Sequence, residues 1–312
     1  MLGMALQWLA IVNPTSAGGR SLHRWTQVSP LLRRLGLRFD EVFTEGPGHA
    51  TQLAREAVET YDRILSVGGD GTTYEILNGM LTSPTVVPLG IVPAGTGNDL
   101  PNAFGLPLDL RQACHVIASG VPRSVDAAVV RGRGFDGRPV QKYWAGVASF
   151  GFDADVTYYA NLLSKSLPGT LNYVRGIMKG LITVKEHLFR VTLLREGQVG
   201  QVVDLAGFLL AVGNGCYYGA GMKVCPDASV YDGLLNVTFL RGIPKLEFLR
   251  VFPRVYSGTH LTHPAIQTYT ADELIIQNPH KVRFQVDGEV LGHTPARVKV
   301  LPKAFKVLHN HV

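Results

Sequence analysis

Gly68-Gly69-Asp70-Gly71-Thr72 follows directly on the apolar run "RILSV" and leads into the helical pattern "TYEILNGML". Three glycines in five positions cost backbone entropy, because Gly loses more freedom on folding than any other residue. Such a turn between a strand and a helix lets backbone N–H groups and the helix N-terminus face a phosphate. A carboxylate in that cradle would repel the phosphate, and Asp70 is best explained by Mg²⁺ bridging it to a nucleotide. The plain alternative is a tight turn with an acidic cap. Thr72 and Glu75 fit the S/T-x-x-E capping box of the helix that follows, as an alternative to a direct site role. A second pair of carboxylates, Asp287 and Glu289, flanks Gly288 in "QVDGEVL". Two carboxylates beside a cleft push one pKa upward, which suits a base that accepts a hydroxyl proton. Here the plain alternative is a solvated hairpin turn, for which Asp-Gly is a common sequence.

These residues need a scaffold, and the pattern up to about Val130 supplies one. "LQWLAIV", "LRFDEVF", "DRILSV" and "VVPLGIV" each precede a helical pattern. Strand and helix recurring in this way predict βαβ crossovers and a parallel sheet covered on both faces. Ligands of such sheets sit beyond the carboxyl ends of the strands. The loops expected there, "NPTSAGG", "TEGPGHA", "GGDGT" and "PAGTGND", should therefore gather along one edge. After Asp126 short strand-like runs dominate, from "DAAVV" to "ARVKVL", interrupted by helical stretches at about Ala154–Ser164, Leu171–Val184 and Lys245–Ser257. The fold class expected is α/β: a doubly wound, Rossmann-like N-terminal domain over 1–125 and a mostly antiparallel β-sandwich or barrel-like domain over 126–300. The last strand, within about 301–312, is expected to return to the first domain.

The 312 residues are 46% hydrophobic and 9% aromatic, enough for a core and against disorder. A formal charge of +6 favours an anionic partner, whether nucleotide phosphates, an acidic membrane surface or nucleic acid, and charge alone does not choose among them. Cys114, Cys216 and Cys225 are far apart and odd in number, which suits a reducing compartment, and Cys225 reads as a small buried hydrophobe. No run approaches the roughly 20 apolar residues that span a bilayer, and the N-terminus reads as a strand, not a signal peptide. G-x-x-x-x-G-K-[ST] does not occur. The G-x-G-x-x-G at Gly132, Gly134 and Gly137 lacks the helix that a dinucleotide site needs and reads as a hairpin loop. His260 and His263 lack a third ligand at metal spacing and are expected in surface or cap roles. In "PKLEFLRVFPRVYSG", Leu246, Leu249, Phe252 and Tyr256 share one helical face, beside Arg250 and Arg254; this face suits either a core or an anionic membrane.

Taken in order, "NPTSAGG" (Asn13–Gly19), "GGDGT" and "GTGND" (Gly95–Asp99) resemble the diacylglycerol kinase catalytic family, which includes bacterial soluble lipid kinases, sphingosine kinases and ceramide kinases. "PDASVYDGLLNV" (Pro226–Val237) and "VDGE" (Val286–Glu289) continue the resemblance across nearly the whole chain. A lone GGDGT would also fit an NAD kinase. The resemblance implies ATP as co-substrate and Mg²⁺, with a nucleotide site at Asn13, Pro14, Thr15, Ser16, Thr44, Gly69, Asp70, Gly71, Thr72, Glu75, Thr96, Asn98 and Asp99. It implies a structural Mg²⁺ at Asp232 with main-chain oxygens of Ser229 and Leu234, and Glu289 as general base with Asp287 beside it. The acceptor implied is diacylglycerol or a related lipid at the membrane surface and not nucleic acid, in a cytoplasmic protein with transient membrane contact; a homodimer stays open. NAD kinase-like, sphingosine- or ceramide-type, and catalytically silent binding functions are the alternatives. This chain departs from the family pattern at Ala17, at Thr73-Tyr74 and at Pro101-Asn102.

Overall fold

The computed structural model describes residues 6–162 and 185–310. The expected helix at Leu171–Val184 lies outside them. The chain divides into two compact units, one holding residues up to Ala127 with Val230–Asp232 and the chain from Leu301, the other holding Ala128–Ser229 and Gly233–Val300.

The first unit is built on parallel strands β1 (Gln7–Val12), β2 (Arg38–Phe43), β3 (Arg63–Gly68) and β4 (Leu89–Pro93). β1 pairs with β2 and with β3, and β3 pairs with β4, all parallel. The end of the long strand β16 (Glu289–His309) adds to β4 in parallel through Val307 and Leu89. β1, β3 and β4 are buried almost throughout, as parallel strands covered on both faces require. Helices α1 (Arg20–Arg34), α2 (His49–Ala57), α3 (Asp70–Leu81), α4 (Asp99–Ala103) and α5 (Leu110–Ser119) follow the strands. α1 turns Ser21, Trp25, Val28 and Leu32 inward, a helical stripe that packs with Trp8, Phe39, Val67 and Ile117 into one core. The Asp109 carboxylate caps α5 by accepting from the backbone N–H of Arg111 and Gln112, both at 3.0 Å. The stretch Val230–Asp232 joins this unit for visible reasons. Asp126 N–H donates to the Val230 carbonyl at 2.8 Å, the Tyr231 hydroxyl donates to the Phe104 carbonyl at 2.8 Å, and the Arg123 guanidinium lies over the Tyr231 ring.

The second unit is antiparallel. β7 (Val147–Gly151), β8 (His187–Arg195), β9 (Gln198–Gly213), β14 (Glu273–Gln277), β15 (Arg283–Val286) and the first part of β16 close into a ring, β9-β7-β15-β16-β14-β8 and back to β9. β12 (Leu235–Arg241) and β13 (Ile266–Ala271) extend from β9. Closure removes strand edges, and alternate residues of β8 and β16 point inward, the period-two pattern of a sheet with one buried face. β5 (Val121–Gly134) and β6 (Pro139–Trp144) form a hairpin, with Gly137 at φ +80° in its loop, where the G-x-G-x-x-G stretch was expected to turn. The small pair β10 (Tyr217–Tyr218) and β11 (Met222–Lys223) and helix α6 (Phe152–Leu162) belong to the same unit.

Two expectations are corrected here. The helical pattern at Lys245–Ser257 is not one helix: α7 spans Lys245–Val251 and a 3-10 turn takes over at Phe252–Val255. Pro253 has no N–H to donate and its ring obstructs a continuing α-helix, so the switch follows from the sequence. Phe252 then turns toward the core while Leu246, Leu249 and Tyr256 stay exposed. His260 is not on the surface. It is buried, its Nε2 lies 3.2 Å from the Val224 carbonyl, and burial lowers its pKa. His263 is largely covered and its Nε2 lies 3.0 Å from Glu247.

Candidate active site

The four glycine-rich loops leave neighbouring carboxyl ends of β1 to β4 and are tied to one another by side chains. Asn13 donates from Nδ2 to the Thr72 hydroxyl at 3.1 Å, while its Oδ1 accepts from Thr15 N–H and Thr15 Oγ1. Asn13 thus joins "NPTS" to "GGDGT". Thr44 N–H donates to the Val12 carbonyl at 2.8 Å and ties the start of the second loop to the end of β1. Arg24 of α1 donates to the carbonyls of Pro93 and Gly95, both at 3.1 Å, and steadies the fourth loop. Sequence reading did not find Arg24, whose partners are backbone atoms far along the chain.

The glycines are needed mainly where loops meet. A Cβ on Gly68 would fall 2.3 Å from Thr72 Oγ1, and one on Gly95 would fall 2.5 Å from the Gly69 Cα. Gly71 is different: nothing lies within 4 Å of its hypothetical Cβ, and it stands exposed in the first turn of α3. Ahead of α1, Ala17, Gly18 and Gly19 all have positive φ, at 53°, 68° and 86°. Successive left-handed residues with open space beside the two glycines form a concavity suited to an anion. Ala17 adopts there a conformation costing a side-chain-bearing residue about 1 kcal/mol.

Asp70 is part-buried at the head of α3, and its Oδ1 accepts from Leu100 N–H at 2.9 Å. Burial raises its pKa, with the backbone N–H groups of Leu100, Asp99 and Asn98 pulling it back. The carboxylate therefore ties "GGDGT" to the N-terminus of α4, a tether that the local sequence did not reveal. A desolvated carboxylate in a loop of backbone donors is relieved by a divalent cation, so the site fits Mg²⁺ at this position. Among the described residues no cluster of three His, Cys, Asp or Glu could hold a metal. Asn98, at φ +55°, accepts from Gly95 N–H at 3.0 Å and shapes the turn before α4; Asp99 is buried beside it, and Thr96 is exposed.

Glu75 does not close a capping box with Thr72, whose helix begins already at Asp70 with no side-chain cap. Its carboxylate accepts from Gly48 N–H at 2.9 Å and Ala50 N–H at 3.2 Å, so it caps the neighbouring helix α2. Glu75→Ala is expected to lower stability by about 1 kcal/mol, read as a shifted denaturant midpoint with unchanged slope. An unchanged midpoint would show that α2 does not depend on this cap.

In the second unit, Asp287 and Gly288 are the two central residues of the β15–β16 hairpin, at φ +45° and +90°, the signs a type I′ turn requires. The Asp287 carboxylate is engaged: it accepts from the N–H groups of Ala145, Gly146 and Val147 at 3.0 to 3.3 Å. Gly288 N–H donates to Gln285 Oε1 at 2.8 Å. Glu289, the first residue of β16, is exposed. Of the proposed metal ligands, Asp232 belongs to the first unit and Ser229 and Leu234 to the second.

The second unit also holds a cavity with almost wholly apolar walls, among them Phe152, Val156, Leu240, Phe248, Phe252 and Ile266. Its main polar groups are bonded to one another: Ser149 Oγ to Asp153 Oδ2 at 2.5 Å and Tyr218 OH to Asp153 Oδ1 at 3.2 Å. Gln285 Nε2 donates to Ser149 Oγ at 2.7 Å, and through Gln285 this network reaches the Asp287–Gly288 turn. Sequence reading missed all four residues, Ser149, Asp153, Tyr218 and Gln285. Cys225 lies beside this region, fully buried, its thiol pushed up to about 12, and Cys114 is pushed up to about 11, both by burial. Neither has the depressed pKa of a reactive thiolate.

Comparison with known proteins agrees with this geometry. Residues 7–130 match the diacylglycerol kinase catalytic domain, and residues 146–309 match the YegS C-terminal NAD kinase beta sandwich-like domain. A diacylglycerol kinase of Mycobacterium tuberculosis is 30% identical over 302 residues, covering 96% of this chain and 94% of the relative. The crystal structure of a diacylglycerol kinase from Bacillus anthracis superposes with a TM-score of 0.73 at 24% identity, over 97% of each chain. Yeast NADH kinase shares the fold more distantly, with a TM-score of 0.51 at 12% identity over 98% of this chain and 84% of that one. With its glycine-rich loops, its closed β-rich second unit and similarity over nearly its whole length, the chain belongs to the diacylglycerol kinase catalytic family and is a lipid kinase.

Proposed function

We propose that the protein transfers the γ-phosphoryl group of ATP, in the presence of Mg²⁺, to the free hydroxyl of diacylglycerol or a closely related neutral lipid. The observation that carries this choice of acceptor is the cavity of the second unit, whose aromatic and aliphatic walls suit an acyl chain and whose Ser149–Asp153–Tyr218 cluster offers hydrogen bonds to a polar head. A dinucleotide acceptor, with its charged pyrophosphate and two polar riboses, would gain little from such walls.

Phosphoryl transfer needs positioning and neutralisation of charge more than covalent help. The loops at Asn13–Ser16, Thr44, Gly69–Thr72 and Thr96–Asp99 would hold the nucleotide, their N–H groups and the N-termini of α1 and α3 facing its phosphates. Mg²⁺ at Asp70 would neutralise negative charge on the transferring group. Glu289, exposed at the start of β16, would accept the proton of the lipid hydroxyl, while Asp287 fixes the turn that presents it. Incubation with γ-labelled ATP and dispersed diacylglycerol should place label in an organic-extractable phosphomonoester, and only with Mg²⁺. Label released solely as inorganic phosphate would contradict the lipid acceptor.

A structural Mg²⁺ at Asp232, with the main-chain oxygens of Ser229 and Leu234, belongs to the same reading. Hard oxygen donors of this kind suit the ion, with water completing its shell. Asp232→Ala is expected to lower the melting temperature by about 4 °C or more and to reduce activity with it, and a chelator should reproduce both effects in the parent. A melting temperature unmoved by either treatment would leave Asp232 as a turn residue alone.

A further inference from the structure

Helix α7 and the turn after it have two faces. Phe248, Val251, Phe252 and Val255 recur at helical spacing and line the apolar cavity. On the opposite side Leu246 is 62% exposed, Leu249 48% and Tyr256 51%, a density of large apolar side chains that exceeds the scattered single residues of an ordinary surface. Lys245 and Arg250 are exposed on the same segment. The acidic residue of the helix, Glu247, has its carboxylate 3.0 Å from His263 Nε2, and Arg254 is bonded to Thr259 and Thr262. The outward face therefore combines apolar and basic groups, the composition of elements that lie in the plane of an anionic bilayer.

We propose that α7 is the surface by which the protein docks on an anionic membrane, with Leu246, Leu249 and Tyr256 in the interfacial layer and Lys245 and Arg250 at the lipid phosphates. This rests on the reading above that a lipid acceptor fills the cavity. One short segment forms a wall of that cavity and presents the apolar outer face. Docking here leaves a single layer of side chains between the bilayer and the cavity, so an acyl chain could pass from one apolar medium to the other by displacement of α7 instead of crossing water. The net positive charge of the chain acts in the same direction, and the attraction is screened by salt.

The test uses flotation with phosphatidylcholine vesicles, with and without a minority of phosphatidylglycerol. Two double variants leave the cavity wall untouched: Leu246→Gln with Leu249→Gln, and Lys245→Ser with Arg250→Ser. The parent should bind the phosphatidylglycerol vesicles more tightly, and each double variant should bind them about tenfold more weakly. Turnover of a short-chain, monomerically dissolved diacylglycerol should stay within about twofold of the parent, since neither pair touches the reacting groups. Vesicle binding unchanged in both variants would overturn the proposal. So would a dimer, seen by light scattering, that the variants dissociate while vesicle binding persists, because the face would then belong to a second copy of the chain. A parent that binds vesicles through this face and phosphorylates no lipid would uphold the surface and overturn the kinase reading instead.

Discussion

Asp70→Asn should abolish turnover while leaving the folded protein as stable as the parent or more so. The amide keeps an oxygen for Leu100 N–H, so the tether to α4 survives, but the charge that would hold Mg²⁺ is gone. Removing one electrostatic stabiliser from a transition state typically costs 10²- to 10³-fold, about 2.7 to 4 kcal/mol. The stability side follows from burial, which raises the Asp70 pKa above its ordinary 3.8. The folded state then holds this proton more strongly than the unfolded chain does. The carboxylate therefore costs stability in full at neutral pH, and the penalty is relieved as pH falls through the raised folded value toward 3.8. Asparagine carries no such penalty, so the variant's melting temperature near neutral pH should equal or exceed the parent's, and the gap should close in acid. Activity within about tenfold of the parent, ~1.4 kcal/mol of barrier, would remove Asp70 from the Mg²⁺ role. A clear loss of stability at neutral pH would show instead that the charge itself holds the two loops together.

The second large effect separates Glu289 from Asp287. Glu289→Gln keeps volume and reach but cannot accept a proton, so kcat should fall 10²- to 10⁴-fold. ATP affinity should stay within about threefold, ~0.65 kcal/mol, and the melting temperature should hold because the side chain is exposed. Asp287→Ala should be severe in another way. It removes the acceptor shared by the N–H groups of Ala145, Gly146 and Val147, and leaving such donors unpaired costs about 1 to 3 kcal/mol each where water cannot reach them. The protein should lose stability as well as turnover. Asp287→Asn keeps part of that acceptor and should fall between. Near-parental kcat in Glu289→Gln would move the base elsewhere, with Asp99 the next candidate.

What the sequence made legible and what it hid divide along physical lines. The edge at which the glycine-rich loops gather could be read, because apolar strands followed by helices force crossovers, and crossovers put the loops at Asn13, Thr44, Gly69 and Thr96 at the same end of a parallel sheet. The antiparallel second unit could be read from short strands and turns. The meaning of individual residues inside those loops was harder. Gly68 and Gly69 suggest room for phosphate, yet their missing side chains make way for Thr72 and Gly95. Glu75 matches a local capping rule, but its partners, Gly48 and Ala50, stand at the head of another helix, and local spacing cannot name them. Asp287 likewise reads as half of a carboxylate pair until the chain near Ala145, far away in sequence, presents three N–H groups to it. Contacts between distant segments decide each of these roles. The break of α7 at Pro253 was different: the proline stood in the pattern, and the apolar stripe around it outweighed it in the reading.

The central claim is that a lipid hydroxyl accepts the phosphoryl group. Its most direct test is a comparison of kcat/KM for diacylglycerol, monoacylglycerol, sphingosine, ceramide and NAD with labelled ATP and Mg²⁺ under one set of conditions. Diacylglycerol should rank first and NAD should take no label. Phosphorylation of NAD with none of the lipids labelled would contradict the claim and return the second-unit cavity to a structural role.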